Sequence, residues 1–250
     1  MKDILNALAN GDISVEDAQR KIKLFAIHEL EDQANLDIGR LNRLDKPEIV
    51  RGAGKSVEKA IGLALPILEE NGYVIISQAT SAHEEYLLSR IPTAVIEFEA
   101  PSELLIAKNK DYVVPKNIGE VAIITGGTSD LPVAIQTKMV LNILGVHVTL
   151  YPDVGIAGLH RLFPVVKSTI ESNATVVIAI AGQEGGLVPV LGGLIDIPII
   201  GIPTSTGTGF GGEGIAALST MLQSCSLGIA VVNIDNGIAG AMIAFTIVKK

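Results

Sequence analysis

The sequence predicts an α/β protein with a doubly wound parallel sheet in its C-terminal part, preceded by a smaller helical and α/β region. Hydrophobic residues make up 48% of the chain, aromatic residues only 4%, and tryptophan is absent. A core of Ile, Val, Leu and Ala suits strands that helices cover on both faces. In the second half of the chain, apolar runs of strand length alternate with helical stretches, as they do in parallel α/β folds.

The first 118 residues are predicted to form an N-terminal domain that begins with two helices. Ser14 and Asp17 have the spacing of a capping pair, so the second helix is predicted to begin there and to end near Leu30. The polar segment between Asp32 and Lys59 is interpreted as a connecting arm. The α/β alternation that follows predicts a helix at Val57–Asn71, a strand at Tyr73–Ser77, a helix at Ser81–Ser89, a strand at Thr93–Glu99 and a looser passage to Asn117.

Residues 119–250 are predicted to form a second domain that contains five strands. Each strand runs into glycine and polar residues, and parallel sheets bind ligands beyond the carboxyl ends of their strands. Glycine also serves tight turns, so one such loop is weak evidence, whereas five together favour a binding site. The predicted strands are Val121–Thr125, Val146–Tyr151, Thr175–Ala181, Ile197–Pro203 and Ile229–Ile234.

Charge and hydropathy limit the classes of partner. The net charge of −8 and the pI of ≈ 5.0 argue against nucleic acid, which recruits dense basic patches. No uninterrupted apolar run approaches the about 20 residues that span a bilayer. The N-terminus lacks the apolar core of a signal peptide, so a cytoplasmic protein is expected. The mean hydropathy of +0.45 predicts apolar subunit contacts and hence a homo-oligomer.

The first two loops of the second domain carry groups that suit an anion. Thr128 and Ser129 offer hydroxyls and backbone amides near a helix N-terminus, although Asp130 beside them is equally well explained as an N-cap. In the next loop, Arg161 suits a two-pronged contact with phosphate or carboxylate. His160 either binds a substrate group or shuttles a proton, or it is a structural hydrogen-bonding residue.

Two glycine motifs resemble nucleotide-binding signatures without matching them. Gly207, Gly209 and Gly212 form a G-x-G-x-x-G pattern, but it follows the fourth strand of the domain, whereas the dinucleotide fingerprint follows the first. We interpret it as a lid or phosphate loop. Lys55 follows a glycine and precedes a serine, but Ile49 stands where a P-loop requires glycine, so the motif is not a Walker A sequence.

Two side chains are candidates for chemistry. Glu184 stands among glycines at a strand end, where a carboxylate has no obvious capping duty, so it is a candidate general acid or base. Cys225 is the single cysteine, which excludes an internal disulfide and a cysteine-based zinc site. From composition alone, inert packing is the commoner role for such a cysteine, and nucleophilic catalysis is the alternative.

The same loops carry a resemblance to a known family. The blocks TGGTSDLPVA, PDVGIAGLHRLF, AGQEGG and MLQSCSLGIAVVNIDNG resemble the LarB family, the pyridinium-3,5-biscarboxylic acid mononucleotide synthases of nickel-pincer cofactor biosynthesis. The C-terminal domain of that family is similar to the flavodoxin-like fold of PurE-type aminoimidazole ribonucleotide carboxylases. The upstream block LDIGRLNRLDKPEIVRGAGKS resembles the N-terminal region of the LarB family, so the resemblance covers about Leu36 to Gly240.

The resemblance implies an activity and a reacting pair. The implied reaction carboxylates C5 of the pyridinium ring of nicotinic acid adenine dinucleotide with CO2 or bicarbonate and hydrolyses the phosphoanhydride to release AMP, with Mg²⁺ as cofactor. It assigns Cys225 as a transient nucleophile on the ring, because a thiolate both adds and leaves readily. It assigns Glu184 to the removal of the C5 proton. A homo-oligomer is expected, with an octamer as one size that fits the family.

The resemblance also implies that Ser129, Asp130, His160 and Arg161 bind the substrate, and no metal ligands are assigned. Arg40 and Lys55 are expected near the adenylate end of the substrate. The other expected substrate-binding residues are Thr128, Asp153, Gly182, Gly209 and Asp235.

Three other functions share parts of this pattern. A PurE-type carboxylase or mutase has the same sheet and loops but needs neither a cysteine nucleophile nor the N-terminal region. A nucleotide-sensing regulator would bind the dinucleotide without turning it over. An NAD-dependent dehydrogenase is suggested only by the glycine motif, whose position disfavours it.

Overall fold

A computed structural model describes residues 2–29, 40–116 and 118–249, without the side chains of residues 23–29, 42 and 43. The chain divides into two compact units, Met1–Tyr112 and Val113–Lys250. The sequence placed this division after residue 118. Within the described residues, no helix combines the length and the apolar character needed to cross a bilayer.

The N-terminal unit begins with helices α1 (Lys2–Ala9) and α2 (Val15–Glu29). The Ser14 hydroxyl accepts a hydrogen bond from the Asp17 backbone N–H at 3.0 Å, which confirms the expected cap. The predicted end of α2 near Leu30 and the first part of the predicted arm, residues 32–39, lie outside the described residues.

A four-stranded mixed sheet forms the rest of this unit. In its order β1-β2-β4-β3, β1 is parallel to β2, whereas β4 is antiparallel to both of its neighbours. Helices α4 and α5 pack with this sheet around an aliphatic core. The elements are α3 (Arg40–Leu44), β1 (Ile49–Arg51), α4 (Val57–Asn71), β2 (Tyr73–Ser77), α5 (Ser81–Arg90), β3 (Val95–Glu99) and β4 (Leu104–Lys108).

Two expectations for this unit are wrong. The described part of the polar arm holds α3 and the edge strand β1, which is three residues long and therefore too short to show a periodic pattern. The passage predicted as looser contains β4, the strand between β2 and β3. Its residues Leu104–Ala107 are all buried, so the run does not alternate between apolar and polar residues as a half-exposed strand does.

The C-terminal unit has five strands, and all of them are parallel, as predicted. Their order is β6-β5-β7-β8-β9. Helices α6 and α10 pack against each other on one face of the sheet, and residues of α7, α8 and α9 join the core cluster on the other. The elements are β5 (Glu120–Thr125), α6 (Leu131–Ile143), β6 (His147–Tyr151), α7 (Leu162–Glu171), β7 (Val176–Ala181), α8 (Leu187–Gly192), β8 (Ile199–Pro203), α9 (Ile215–Leu222), β9 (Ile229–Val231) and α10 (Gly237–Val248).

The strand order places a crevice at one point of this sheet. From β5 the chain adds β6 on one side and then returns to add β7, β8 and β9 on the other, which is the flavodoxin-like order. β5 and β7 are neighbours in the sheet, and the connections that follow them lead in opposite directions, toward β6 and toward β8. Ligands of open parallel sheets bind at this reversal, beyond the carboxyl ends of the strands.

Candidate active site

A cavity of ≈ 250 Å³ lies where the loops after β5, β6 and β7 meet. Its position is the one that the reversal of strand order predicts. Most of its wall is backbone and small side chains, which leaves room for a ligand close to the main chain. The lining residues are Gly126, Gly127, Ser129, Asp130, Gly155, Ile156, Ala157, Ala181, Gly182, Gln183, Glu184, Gly186, Leu187 and Thr206.

Asp130 lies at the base of this cavity and is 3% exposed. One carboxylate oxygen accepts the Gly127 N–H at 2.8 Å, and the other accepts the Thr204 hydroxyl at 2.6 Å and the Thr206 hydroxyl at 3.3 Å. A buried carboxylate needs such donors to offset its lost hydration. Asp130 therefore joins the loop after β5 to the loop after β8, and three of its acceptor positions are taken by the protein itself.

Two glycines of the cavity are required by close approach. A Cβ at Gly182 would lie 2.1 Å from the Thr206 hydroxyl oxygen and 2.7 Å from that of Thr204. A Cβ at Gly155 would lie 2.5 Å from the carbonyl oxygen of Gly126. Both glycines allow neighbouring loops to pack closely. Gly182, which was expected to bind substrate, lines the cavity, and close packing against Thr204 and Thr206 explains why it is a glycine.

Glu184 is exposed on the wall of the cavity, as part of a tight turn. Gln183 before it and Gly185 after it have left-handed backbone conformations, with φ of 50° and 69°. The Gly185 N–H donates to the Gly182 carbonyl at 2.9 Å and closes the turn. The left-handed Gln183 is costly for a residue with a side chain, so the turn holds a strained backbone where it presents the carboxylate.

The predicted residues of the second loop lie outside the cavity wall. The Arg161 guanidinium donates to the Asp153 carboxylate at 2.9 Å, and both side chains are largely exposed. A Cβ at Gly158 would lie 2.7 Å from Arg161 Nε, so the arginine side chain lies over that glycine. His160 is also exposed. The Asp153–Arg161 pair is adjacent in sequence to the lining residues Gly155 to Ala157.

The other expected binding residues are spread more widely. Thr128 is exposed in the 3₁₀ turn beside the cavity, and Gly209 lies on the exposed glycine loop with a φ of 78°. Asp235 accepts the Ser205 N–H at 2.9 Å, beyond the ends of β8 and β9. In the N-terminal unit, Arg40 donates to Glu48 at 2.9 Å, and the Lys55 ammonium donates to the Arg51 carbonyl at 3.0 Å.

Cys225 does not line the cavity that holds Glu184. It is exposed in the loop between α9 and β9, and it lines a separate depression with Pro189 and Ser226. Because β9 is parallel to β8, this loop lies at the amino edge of the sheet, whereas Glu184 follows β7 at the carboxyl edge. One chain therefore does not bring the two predicted reacting groups together.

The Mg²⁺ that the resemblance implies stays a prediction, because such an ion is commonly held by one or two carboxylates together with substrate phosphates. Nowhere among the described residues do three or more His, Cys, Asp or Glu side chains come close enough to hold a metal ion. No magnesium ligand is assigned among the described residues, and the steps proposed below are written for side chains alone.

Comparisons with known proteins agree with this architecture. Residues 120–250 match the AIR carboxylase family, and residues 27–109 match the LarB/PurE-like N-terminal domain. The chain belongs to the LarB family. Its second domain is PurE-like and its class is that of carboxylase-type enzymes.

Three relatives show how far the similarity extends. An uncharacterized protein of Methanocaldococcus jannaschii is 43% identical over 252 residues, which cover 100% of this LarB-like chain and 97% of the relative. The N5-carboxyaminoimidazole ribonucleotide mutase of the same organism is 32% identical over 129 residues, with 51% of this chain and 77% of the mutase covered. The mutase of Thermotoga maritima is 30% identical over 132 residues, with 51% and 73% covered.

Sequence reasoning missed several residues that shape this LarB-like site. Thr204 and Thr206 bind Asp130 from a loop more than seventy positions away, and only their place after a buried strand marks them. Ile156 and Leu187 line the cavity, but an apolar residue near a strand end gives no signal that separates a ligand wall from the core.

Proposed function

We propose that this protein carboxylates C5 of the pyridinium ring of nicotinic acid adenine dinucleotide and cleaves its phosphoanhydride, giving pyridinium-3,5-biscarboxylic acid mononucleotide and AMP. The observation that carries the proposal is Glu184, a free carboxylate on the wall of a cavity at the strand reversal of a carboxylase-type domain. The LarB/PurE-like N-terminal domain supports the pyridinium substrate over a purine precursor.

The size of the cavity suits one end of this substrate. Its ≈ 250 Å³ is smaller than the about 300–1,000 Å³ of pockets that enclose whole drug-sized ligands. The pyridinium ring and CO2 would occupy it, with the Ser129 hydroxyl near the ring substituents. Arg161, which follows the lining residues Gly155 to Ala157 in the sequence, would release Asp153 and bind a substrate phosphate.

The chemistry requires a temporary nucleophile. A pyridinium carbon is electron-poor, so the thiolate of Cys225 first adds to a ring carbon next to C5, and the displaced ring electrons pass to the nitrogen. The resulting enamine attacks CO2 through C5 and forms the new carbon–carbon bond. Glu184 then removes the C5 proton, and that electron pair restores the aromatic ring as the carbon–sulfur bond breaks and the thiolate leaves.

We further propose that the thiolate comes from a second copy of the chain. Cys225 and Glu184 lie at opposite edges of one sheet, so addition and proton removal need two subunits. Cys225 is flanked by Leu222, which is 65% exposed, and Leu227, which is 88% exposed. Exposed leucines on both sides of a reactive group are typical of a surface that a second subunit covers.

The proposal is tested by incubating the full chain with nicotinic acid adenine dinucleotide and bicarbonate, with and without Mg²⁺, and analysing the products by mass spectrometry. We expect AMP and a mononucleotide that carries one additional carboxyl group, labelled when ¹³C-bicarbonate is used. Formation of neither product under any of these conditions would overturn the proposal.

The similarity to the ribonucleotide mutases supports a second candidate, a PurE-type reaction on an aminoimidazole ribonucleotide. That reaction needs no thiolate, because an aminoimidazole carbon is already nucleophilic. The two candidates are separated by Cys225→Ala with each substrate. Loss of pyridinium carboxylation supports the first candidate, and an undiminished conversion of the aminoimidazole substrate supports the second.

A further inference from the structure

The cavity that Glu184 lines has acidic side chains on its wall and no basic ones. Asp130 and Glu184 both line it, and among the described residues that line it there is no Lys, Arg or His. This charge suits a pyridinium cation. It opposes a later step of the proposed reaction, because the carboxylate that forms at C5 brings a further negative charge close to Glu184.

The new carboxylate therefore needs a hydrogen-bond donor on the cavity wall. Three lining side chains can donate, namely those of Ser129, Gln183 and Thr206. The Thr206 hydroxyl already donates to Asp130 at 3.3 Å, and the Gly127 N–H donates to the same carboxylate at 2.8 Å. The side-chain donors that are left for a ligand are the Ser129 hydroxyl and the Gln183 amide.

Gln183 is the donor next to the proposed base. It directly precedes Glu184, its side chain is exposed, and within the described residues its amide has no hydrogen-bond partner. The Glu184 carboxylate lies over Gly186, where a Cβ would be 3.3 Å from Glu184 Oε1. Consecutive residues of one turn therefore offer a base and a free amide to the same cavity.

The backbone of this turn gives no reason for a glutamine. Gln183 has a φ of 50°, a left-handed conformation that glycine adopts at lower cost, as Gly185 does in the same turn with a φ of 69°. A Cβ at Gly207 would lie 3.0 Å from the Gln183 nitrogen, so the loop after β8 packs closely against this strained residue. The glutamine side chain is thus retained at a conformational cost, which is typical of a residue with a function.

We propose that the Gln183 side-chain amide binds the carboxylate that forms at C5, by donating a hydrogen bond to one of its oxygens. This inference rests on the proposed function and adds a residue to it. As C5 attacks CO2, negative charge develops on the CO2 oxygens, and a neutral amide stabilises that charge without repelling the pyridinium cation. The amide neither gains nor loses a proton. The Ser129 hydroxyl remains for the carboxylate that the ring already carries.

The test compares the parent protein with Gln183→Met, using nicotinic acid adenine dinucleotide at varied concentrations of dissolved CO2. Methionine keeps the length of the side chain and removes the donor. We expect kcat/KM for CO2 to fall by about a hundredfold, as loss of one donor to a developing oxyanion does. Dinucleotide affinity, measured by calorimetry, should stay unchanged. Gln19→Met, at an exposed position of α2, is the matched control and should behave as the parent does.

A second variant separates the amide from the shape of the turn. Gln183→Gly relieves the left-handed strain, so we expect the free energy of unfolding to be retained or raised. Carboxylation should nevertheless fall as it does in Gln183→Met. If the side chain served only the turn, Gln183→Gly would be as active as the parent.

Three results with an active parent would overturn the inference. The first is an unchanged kcat/KM for CO2 in Gln183→Met. The second is weakened binding of the dinucleotide with an unchanged dependence on CO2, which would assign the amide to the carboxylate already on the ring. The third is full activity of Gln183→Gly. A parent that forms neither AMP nor the carboxylated mononucleotide would instead refute the proposed function, so the two failures are distinguishable.

Discussion

The two edges of the C-terminal sheet differ in what they present. At the carboxyl edge, a buried network around Asp130 joins two loops, and the exposed carboxylate of Glu184 lines the cavity. At the amino edge, Cys225 is exposed between two exposed leucines. Under the proposed function, the first edge binds the ligand and a second subunit covers the other edge. One chain therefore carries both reacting groups of the proposed site, but it holds them at opposite edges of its sheet.

The largest expected effect concerns the carboxyl edge. Glu184→Gln keeps the shape of the cavity but removes the base, so we expect the carboxylation rate to fall by at least about a hundredfold while dinucleotide binding is retained. Carboxylation is measured with ¹³C-bicarbonate, and binding by calorimetry. The matched control is Glu171→Gln on the surface of α7, which should leave both unchanged. Full activity of the Glu184 variant would show that this carboxylate takes no part in the reaction.

A smaller effect is expected at the amino edge. Leu227→Asp places a charge on a side chain that we assign to the subunit contact, so we expect a shift toward smaller assemblies and about a tenfold loss of activity. Sedimentation measures the assembly. Val113→Asp, another strongly exposed apolar residue in the same unit, is the control. An unchanged assembly with unchanged activity would show that no subunit contact forms at Leu227.

The network that shapes the cavity gives a measurable effect on stability. Thr204→Val removes the hydroxyl that donates to Asp130 at 2.6 Å while keeping the volume of the side chain. We expect the free energy of unfolding to fall by about 1–3 kcal/mol, because a buried carboxylate oxygen loses a donor. Chemical denaturation measures it, with the exposed Thr208→Val as the control. Equal stability of the two variants would contradict the role given to Asp130.

The smallest expected effect is a pH dependence of stability that arises from His83 in the N-terminal unit. Burial lowers the pKa of His83 below its ordinary value of 6.5. The unfolded imidazole therefore binds a proton near pH 6.5 while the folded one does not, so the free energy of unfolding falls as the pH drops below 6.5. We expect His83→Asn to flatten this dependence, measured by denaturation between pH 5 and 7. His160→Asn serves as the control, and an equal slope in both variants would contradict the prediction.

Particular elements show how much the sequence predicted. The five parallel strands and their glycine loops were predictable because buried apolar runs of strand length recur at regular spacing. The place of Glu184 at the carboxyl edge was predictable because it follows a predicted strand, whereas its role in proton transfer stays a prediction. β4 was not predictable, since this run of five residues stands alone after a short turn and lacks the regular spacing of the C-terminal strands. The pairing of Cys225 with Glu184 came from the resemblance, although in a parallel sheet a residue that precedes β9 and a residue that follows β7 lie at opposite edges.

The shared-site account is tested most directly by combining two inactive chains. Cys225→Ala and Glu184→Gln chains, carrying different tags, are co-expressed and their mixed assemblies purified through both tags. If one subunit supplies the thiolate and another the carboxylate, some mixed sites contain both intact groups, and random assembly should restore about a quarter of the parent activity. Mixed assemblies that remain as inactive as either variant alone would contradict the account.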